Sequence, residues 1–221
     1  MFSLLFQKDT YQVRVSNRSV HRSVTSKAKR SIDILGALVG LAIAAAVAVP
    51  VTVAMLLESP GPLLYSQTRC GFKGRRFKIW KFRSMVVGAD KLKHLVTNEA
   101  KGHIFKNEND PRITKVGRFL RRTSLDELPQ FWNVLVGDMS LVGTRPPTPD
   151  EVAAYDDSHR RRLDVKPGMT GEWQVNGRSG VKDFEDIVRM DLEYQRKWSL
   201  IYDIHLICKT VWVVLSKSGA C

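Results

Sequence analysis

Residues 34–57 read ILGALVGLAIAAAVAVPVTVAMLL, with no charged side chain among them. A helix needs about 20 apolar residues to match the hydrocarbon core of a bilayer, so this segment belongs in a membrane. Its surroundings complicate a simple crossing. Arg22, Lys27, Lys29 and Arg30 precede it, and Arg69, Lys73, Arg75 and Arg76 follow. Positive charge beside membrane segments tends to stay cytoplasmic, so cations on both flanks oppose a crossing. Pro50 lies inside the run. It has no backbone donor and clashes with the preceding turn, so a break there would return the chain to the face it entered from. A spanning helix kinked at Pro50 and a re-entrant helix–break–helix both stand on these features, because prolines are tolerated in membrane helices. Asp33 and Glu58 bracket the segment and read as its ends.

Working outward, residues 1–30 form a polar, basic N-terminal arm whose expected contact is anionic lipid. The opening MFSLLF is too short for the core of a signal peptide, and no cleaved targeting segment is expected. On the other side, SPGP at 59–62 is a stop and turn, after which residues 59–221 are expected to form one catalytic domain. Residues 63–67 suit a short strand. Residues 75–83, RRFKIWKFR, alternate cations with apolar side chains, and the slip at Ile79-Trp80 predicts a bulge and one basic face. A helix and polar loop are expected over 86–109, with a turn at 109–111. An amphipathic helix follows over 183–198, where Asp191 and Glu193 read as a solvated face. The apolar stretch 198–215 contains Asp203, His205 and Lys209, which suits an interfacial or core helix better than a second span.

Lys and Arg outnumber Asp and Glu 35 to 22, a net charge of +13 that suits anionic partners: nucleic acid, lipid headgroups or phosphorylated small molecules. Three cysteines, Cys70, Cys208 and Cys221, without C-x-x-C spacing argue against a disulfide framework and a structural zinc site.

The sharpest chemical feature lies at 118–137, RFLRRTSLDELPQFWNVLVG. Ser124 followed by Glu127 matches a capping box, and Leu128, Phe131, Trp132 and Leu135 recur at helical spacing, so a helix is predicted from Leu125 to Gly137. Asp126 and Glu127 then admit two readings. They could simply complement the helix dipole. Alternatively, with Arg118, Arg121 and Arg122 just upstream, they could form an anion site in which Mg²⁺ bridges carboxylate and phosphate and a carboxylate attacks phosphorus. Arg145, held between turns in GTRPPTP at 143–149, suits a diphosphate equally with a structural loop. Trp173, Gln174, Asn176 and Arg178 lie among glycines and could stack on and hydrogen-bond a base. His205 reads as a boundary residue.

Taken in order, the basic arm, the membrane segment with Pro50, SPGP at 59–62, FKIWKFR at 77–83, SLDELPQ at 124–130, GDMS at 137–140, Arg145-Pro146, KPG at 166–168 and QVNGR at 174–178 resemble the bacterial sugar transferase family, the monotopic phosphoglycosyl transferases. The resemblance runs from about Lys27 to the C-terminus. It implies a mainly α fold with a small β element (α+β): a re-entrant membrane helix over 31–58 and a catalytic domain with interfacial helices on the cytoplasmic face of the bacterial inner membrane. It also implies a reaction, the transfer of a sugar phosphate from a UDP-sugar to undecaprenyl phosphate with release of UMP. Asp126 would be the nucleophile and the carboxylate nearest Mg²⁺, and Glu127 would assist. Arg121 would stand near the pair, and Arg145, Pro146, Gln174, Asn176 and Arg178 would line the donor pocket. A hexose for exopolysaccharide is the expected sugar, and a homodimer the expected assembly.

Two positions depart from the family pattern. Val49-Pro50 stands where Ser-Pro is usual, leaving Thr52 to satisfy freed carbonyls. Gly143-Thr-Arg-Pro146 stands where Gly-Pro-Arg-Pro is usual, which puts the loop's shape in question. A membrane-anchored protein that binds nucleic acid or lipid without catalysis would explain the charge but not the acidic pair, so no nucleic-acid partner is expected. A non-catalytic scaffold of the same fold is disfavoured by the intact Asp126-Glu127.

Overall fold

The structure, a computed structural model, describes residues 19–105, 107–176, 181 and 183–216. After a short turn of helix, α1 (Arg22–Thr25), the apolar segment forms α2 (Lys27–Glu58), capped by Ser26 accepting from the Lys29 amide. The helix therefore begins inside the stretch read as the arm. Pro50 lies within one continuous helix rather than between two, so the expected two-piece form is not seen as separate elements. The Thr52 hydroxyl donates to the Ala48 carbonyl at 2.6 Å, one turn back. This differs from the expected role: the carbonyl deprived of its amide by Pro50 is that of Ala46, four residues before it.

Both ends of α2 are bonded to the same folded body. At the start, Lys29 donates to Asp203 (2.5 Å) and the Val142 carbonyl (3.0 Å), and Arg30 donates to the carbonyls of Val134 and Leu135. Asp33 accepts from the Ser140 hydroxyl and the Leu141 amide, both at 2.9 Å. At the far end, Glu58 accepts from the amides of Lys115 and Val116, and Arg83 clasps Ser59 and the Pro62 carbonyl. Asp33 and Glu58 are thus structural acceptors rather than mere markers. Between them, Ala37, Gly40, Ala44, Val51 and Met55 recur at three to seven residues and are buried. Leu35, Val39, Val49, Val53 and Leu57 stay exposed on the other side. Small residues let the helix approach closely; a Cβ at Gly40 would lie 2.3 Å from the Phe131 ring.

The remaining chain is α+β. Strands β1 (Leu64–Cys70) and β2 (Arg76–Phe82) pair antiparallel from Leu64↔Phe82 to Cys70↔Arg76. The ladder runs without the bulge predicted at Ile79-Trp80. No slip is needed, because the hairpin has apolar contacts on both faces: Phe77 and Ile79 join Ala37, Val134 and Met139, while Phe82 joins Val51, Met55 and Leu120. A 3₁₀ turn over Ala89–Leu95 occupies the stretch expected to be helical. Then come α3 (Lys115–Arg122), a 3₁₀ turn over Leu125–Gln130 and α4 (Phe131–Val136), which ends at Gly137 with φ 90°. Strand β3 (Ser140–Val142) pairs parallel with β4 (Gly168–Thr170), and α5 (Pro149–Ala153) and α6 (Asp157–Arg160) lie between them.

The chain closes with α7 (Glu172–Asn176), α8 (Phe184–Lys197) and α9 (Leu200–Leu215). On α8, Glu193 pairs with Lys197 at the surface as expected. Asp191 does not: it is fully buried against Arg162, because α8 turns that face into the aromatic core around Phe184 and Tyr155. On α9, Leu206 and Asp203 are buried while Ile201 and Trp212 are 80% and 71% exposed, the one-sided pattern of an interfacial helix.

Asp203 accepts from Lys29, Tyr194 and Trp198. Removing one partner of a buried ion pair strands the other, so Asp203→Ala should cost about 3–5 kcal/mol. The pair Lys29→Met with Asp203→Leu should recover part of that loss. Denaturant unfolding in lipid nanodiscs checks this; a double variant no more stable than Asp203→Ala would refute it.

Candidate active site

Asp126 owes its place to an unusual turn. Ser124, at the end of α3, is left-handed with φ 57° and ψ 16°. A non-glycine residue there carries backbone strain, which is commonest at functional sites. The capping box expected between Ser124 and Glu127 does not form. Glu127 turns instead to Lys81 of β2, at 2.6 Å. The Thr-x-x-Glu pattern that does close as a capping box is Thr148 to Glu151, at the start of α5.

The tight turn leaves Asp126 only 6% exposed on the wall of a cleft of about 600 Å³. Burial pushes its carboxyl up to about 6, the neighbouring Glu127 charge adds to the shift, and Lys81 and Arg121 oppose it. Arg69, Arg121, Arg145 and Lys81 line the same cleft. In the same lining Phe105 lies under Lys93 and Arg112, at 5.3 and 5.6 Å. The lining thus holds two kinds of group: a carboxyl with nearby guanidiniums, and an aromatic ring flanked by cations.

Of the residues read from the sequence, the structure brings Asp126, Arg121 and Arg145 together on the cleft, with Glu127 beside them. Arg145 is held by Glu151 through both terminal nitrogens, at 2.9 and 3.3 Å. The carbonyl of Pro146 accepts from Arg69 at 3.1 Å. Gln174 and Asn176 are outside the cleft's lining. Asn176 is bonded to Glu172 and Lys209, because α7 packs towards α9. Arg178 lies outside the described residues. Lys81, Arg69 and Glu151 were not singled out in sequence. Lys81 had a signal in the cation–apolar alternation of 75–83 and Glu151 in the Thr-x-x-Glu capping pattern from Thr148, whereas Arg69 had none beyond charge.

Among the described residues no three His, Cys, Asp or Glu side chains cluster as a metal site. The cleft carboxylates still suit one kind of ion. Mg²⁺ is commonly bound by one or two carboxylates with phosphate and water completing its shell. Asp126, which lines the cleft, could supply that single carboxylate in its ionised form, with substrate phosphate offsetting the surrounding cations.

A family model for the bacterial sugar transferases matches residues 24–217. The chain belongs to the bacterial sugar transferase family. It is 52% identical over 195 residues to the galactosyl transferase CpsE of Streptococcus agalactiae, an alignment covering 87% of this chain and 43% of that protein. It is 42% identical over 224 residues to the undecaprenyl-phosphate galactose phosphotransferase of Salmonella typhimurium, covering 99% and 46%. The exopolysaccharide production protein ExoY of Rhizobium meliloti is 36% identical over 205 residues, covering 90% of each chain. The chain thus spans less than half the length of the first two family members and most of the third.

A carboxyl raised by folding makes the folded state bind the proton more tightly than the unfolded chain. Asp126 therefore costs no stability below its unfolded value near 4, and the cost grows as pH rises to about 6. In EDTA, Asp126→Asn should be more stable than the parent by roughly 2–3 kcal/mol at pH 7.5. That difference should vanish near pH 4. Unfolding midpoints across this range check it, and a gap independent of pH would contradict it.

Proposed function

We propose that this protein is a monotopic phosphoglycosyl transferase. It moves a hexose-1-phosphate from a UDP-sugar to undecaprenyl phosphate at the cytoplasmic face of the inner membrane, releasing UMP and beginning exopolysaccharide or other glycoconjugate synthesis. The observation that carries this reading is Asp126: a buried carboxyl opening onto an arginine-lined cleft, on a strained turn beside Lys81 and Arg121. The family and the named activities of its members support the carrier and the reaction class.

In the first step a carboxylate oxygen of Asp126 attacks the sugar-linked phosphorus. The bond from that phosphorus to the bridging oxygen breaks, and the oxygen leaves on UMP. The phosphosugar is then held on Asp126 as an acyl phosphate. In the second step a phosphate oxygen of the carrier attacks the same phosphorus. The bond to Asp126 breaks, freeing its carboxylate and leaving the sugar on a polyprenyl diphosphate. Lys81 holds Glu127 beside the nucleophile, and the Arg121 charge favours the ionised carboxylate and offsets phosphate charge. Mg²⁺ at Asp126 would neutralise the transferring phosphate.

The membrane arrangement in this reading is re-entrant, with α2 entering and leaving on one face. Its two ends are bonded to one body, basic residues flank both, and Pro50 interrupts its hydrogen bonding. Exposed Phe119, Trp132, Ile201 and Trp212 would then rest at the lipid surface around it.

The test is UMP release from a panel of UDP-sugars by the chain in nanodiscs with undecaprenyl phosphate and Mg²⁺. One sugar should support turnover. Without carrier, release should stop at about one UMP per chain, with the phosphosugar found on Asp126 by mass spectrometry. Asp126→Asn should lower turnover by at least about a hundredfold. As the carboxyl protonates, the parent's rate should fall roughly tenfold per pH unit below about pH 6. No UMP from any sugar with folded protein would defeat the proposal.

A further inference from the structure

Five arginines line the cleft, Arg69, Arg83, Arg112, Arg121 and Arg145, and three are already occupied by the protein itself. Arg83 gives its nitrogens to Ser59 and Pro62 at the end of the membrane helix. Arg112 closes on Asp110 through two nitrogens and on the Ala89 carbonyl through the third. Arg145, which its sequence setting suits to a diphosphate and to a structural loop alike, is closed bidentately by Glu151. A carboxylate in that geometry takes the two-pronged face a phosphate would need.

Arg69 is different. Nη1 donates to the Pro146 carbonyl at 3.1 Å and Nη2 to the Gln67 amide oxygen at 2.6 Å, both neutral acceptors. Among the described residues no carboxylate is hydrogen-bonded to it. Its Nε is buried without a partner. A guanidinium has five N–H groups, so two bonds leave three unspent. Burial and the Arg145 charge beside it hold the guanidinium down to about 10, a shift that the Glu151 and Glu127 carboxylates oppose without hydrogen-bonding to it. A half-buried guanidinium next to a like charge, with no carboxylate hydrogen-bonded to it, is costly, and an arriving anion lowers that cost.

We infer that Arg69 is a donor-binding residue that receives the diphosphate of the nucleotide sugar, and that Arg145 acts behind it as a positioning residue. The connection is direct: Glu151 fixes Arg145, the next residue in the chain is Pro146, and its carbonyl is the rest on which Arg69 lies. Arg145 is favoured from the core side as well by the nearby charge of Asp191, itself paired with Arg162. Arg121, on the Asp126 side, has no hydrogen-bonded carboxylate among the described residues. The two guanidiniums left for a ligand therefore belong to one cleft with the nucleophile, which suits a diphosphate whose sugar-linked phosphorus must reach Asp126. This inference rests on the transferase reading above.

Donor affinity is measured at equilibrium on the full chain carrying Asp126→Asn in nanodiscs, and UMP release on the catalytically intact chain. Adding Arg69→Gln should weaken UDP-sugar binding at least about tenfold and raise the donor KM by a similar factor. The KM for undecaprenyl phosphate should stay within about twofold. Arg69→Lys should recover part of the affinity, because it restores the charge without the fork. An independent readout needs no variant: UDP should protect Arg69 from phenylglyoxal, read by peptide mass spectrometry. Unchanged donor affinity in a folded Arg69→Gln chain, or equal modification of Arg69 with and without UDP, overturns the inference while UMP release by the parent keeps the transferase reading intact. No UMP release by the parent, together with no UDP-sugar binding by Asp126→Asn, would instead remove the reading on which it rests.

Discussion

The fold depends on a constraint at the two ends of α2. An apolar helix of 32 residues leaves one apolar face exposed while a polar domain is held along the other. Hydrophobic contact alone would let such a helix slide and rotate, because lipid and apolar side chains are nearly equivalent surroundings. Directional polar bonds at the ends prevent this. Lys29, Arg30 and Asp33 fasten the start to α9, α4 and β3, and Glu58 fastens the finish to the first amides of α3.

That fastening reaches the candidate site through very few residues. Helix α3 starts at the Glu58 contact and ends at Arg121-Arg122, and the next turn carries Ser124 and Asp126. The hairpin is tied to the same point, since Arg83 binds Ser59 while Lys81, two residues earlier, holds Glu127. The position of the carboxyl relative to the long apolar helix is thereby set. The proposed reaction, between a soluble nucleotide sugar and a carrier whose phosphate lies at the headgroups, would need that fixed height.

Much of the fold was legible in the residues. The length and apolarity of 34–57 marked α2, Gly137 ended α4, and the turn at 109–111 preceded the Met85–Ile113 bridge. The errors share one cause, which is that local pattern carries no information about distant partners. Ser124-Leu-Asp-Glu127 and Thr148-Pro-Asp-Glu151 have the same capping pattern, yet only the second caps a helix, because Lys81 from 46 positions away takes Glu127. Asp191 and Glu193 differ by two positions on one helix; one is buried against Arg162 and the other meets solvent. Gln174 and Asn176 looked suited to a base, but the packing of α7 on α9 spends Asn176 on Lys209 and Glu172.

By itself, the sequence determined that this chain has a long apolar segment, an α+β domain and an acidic pair among arginines. Composition, periodicity and ordered motifs are properties of neighbouring residues and survive without a fold. Only the tertiary structure decided which of those charges are available. Whether an arginine is neutralised depends on which carboxylate the folded chain sets within hydrogen-bond reach, and Coulomb energy in a half-buried cleft depends steeply on that distance. Arg145 and Arg69 look alike in sequence; Glu151 closes on one and leaves the other with neutral acceptors.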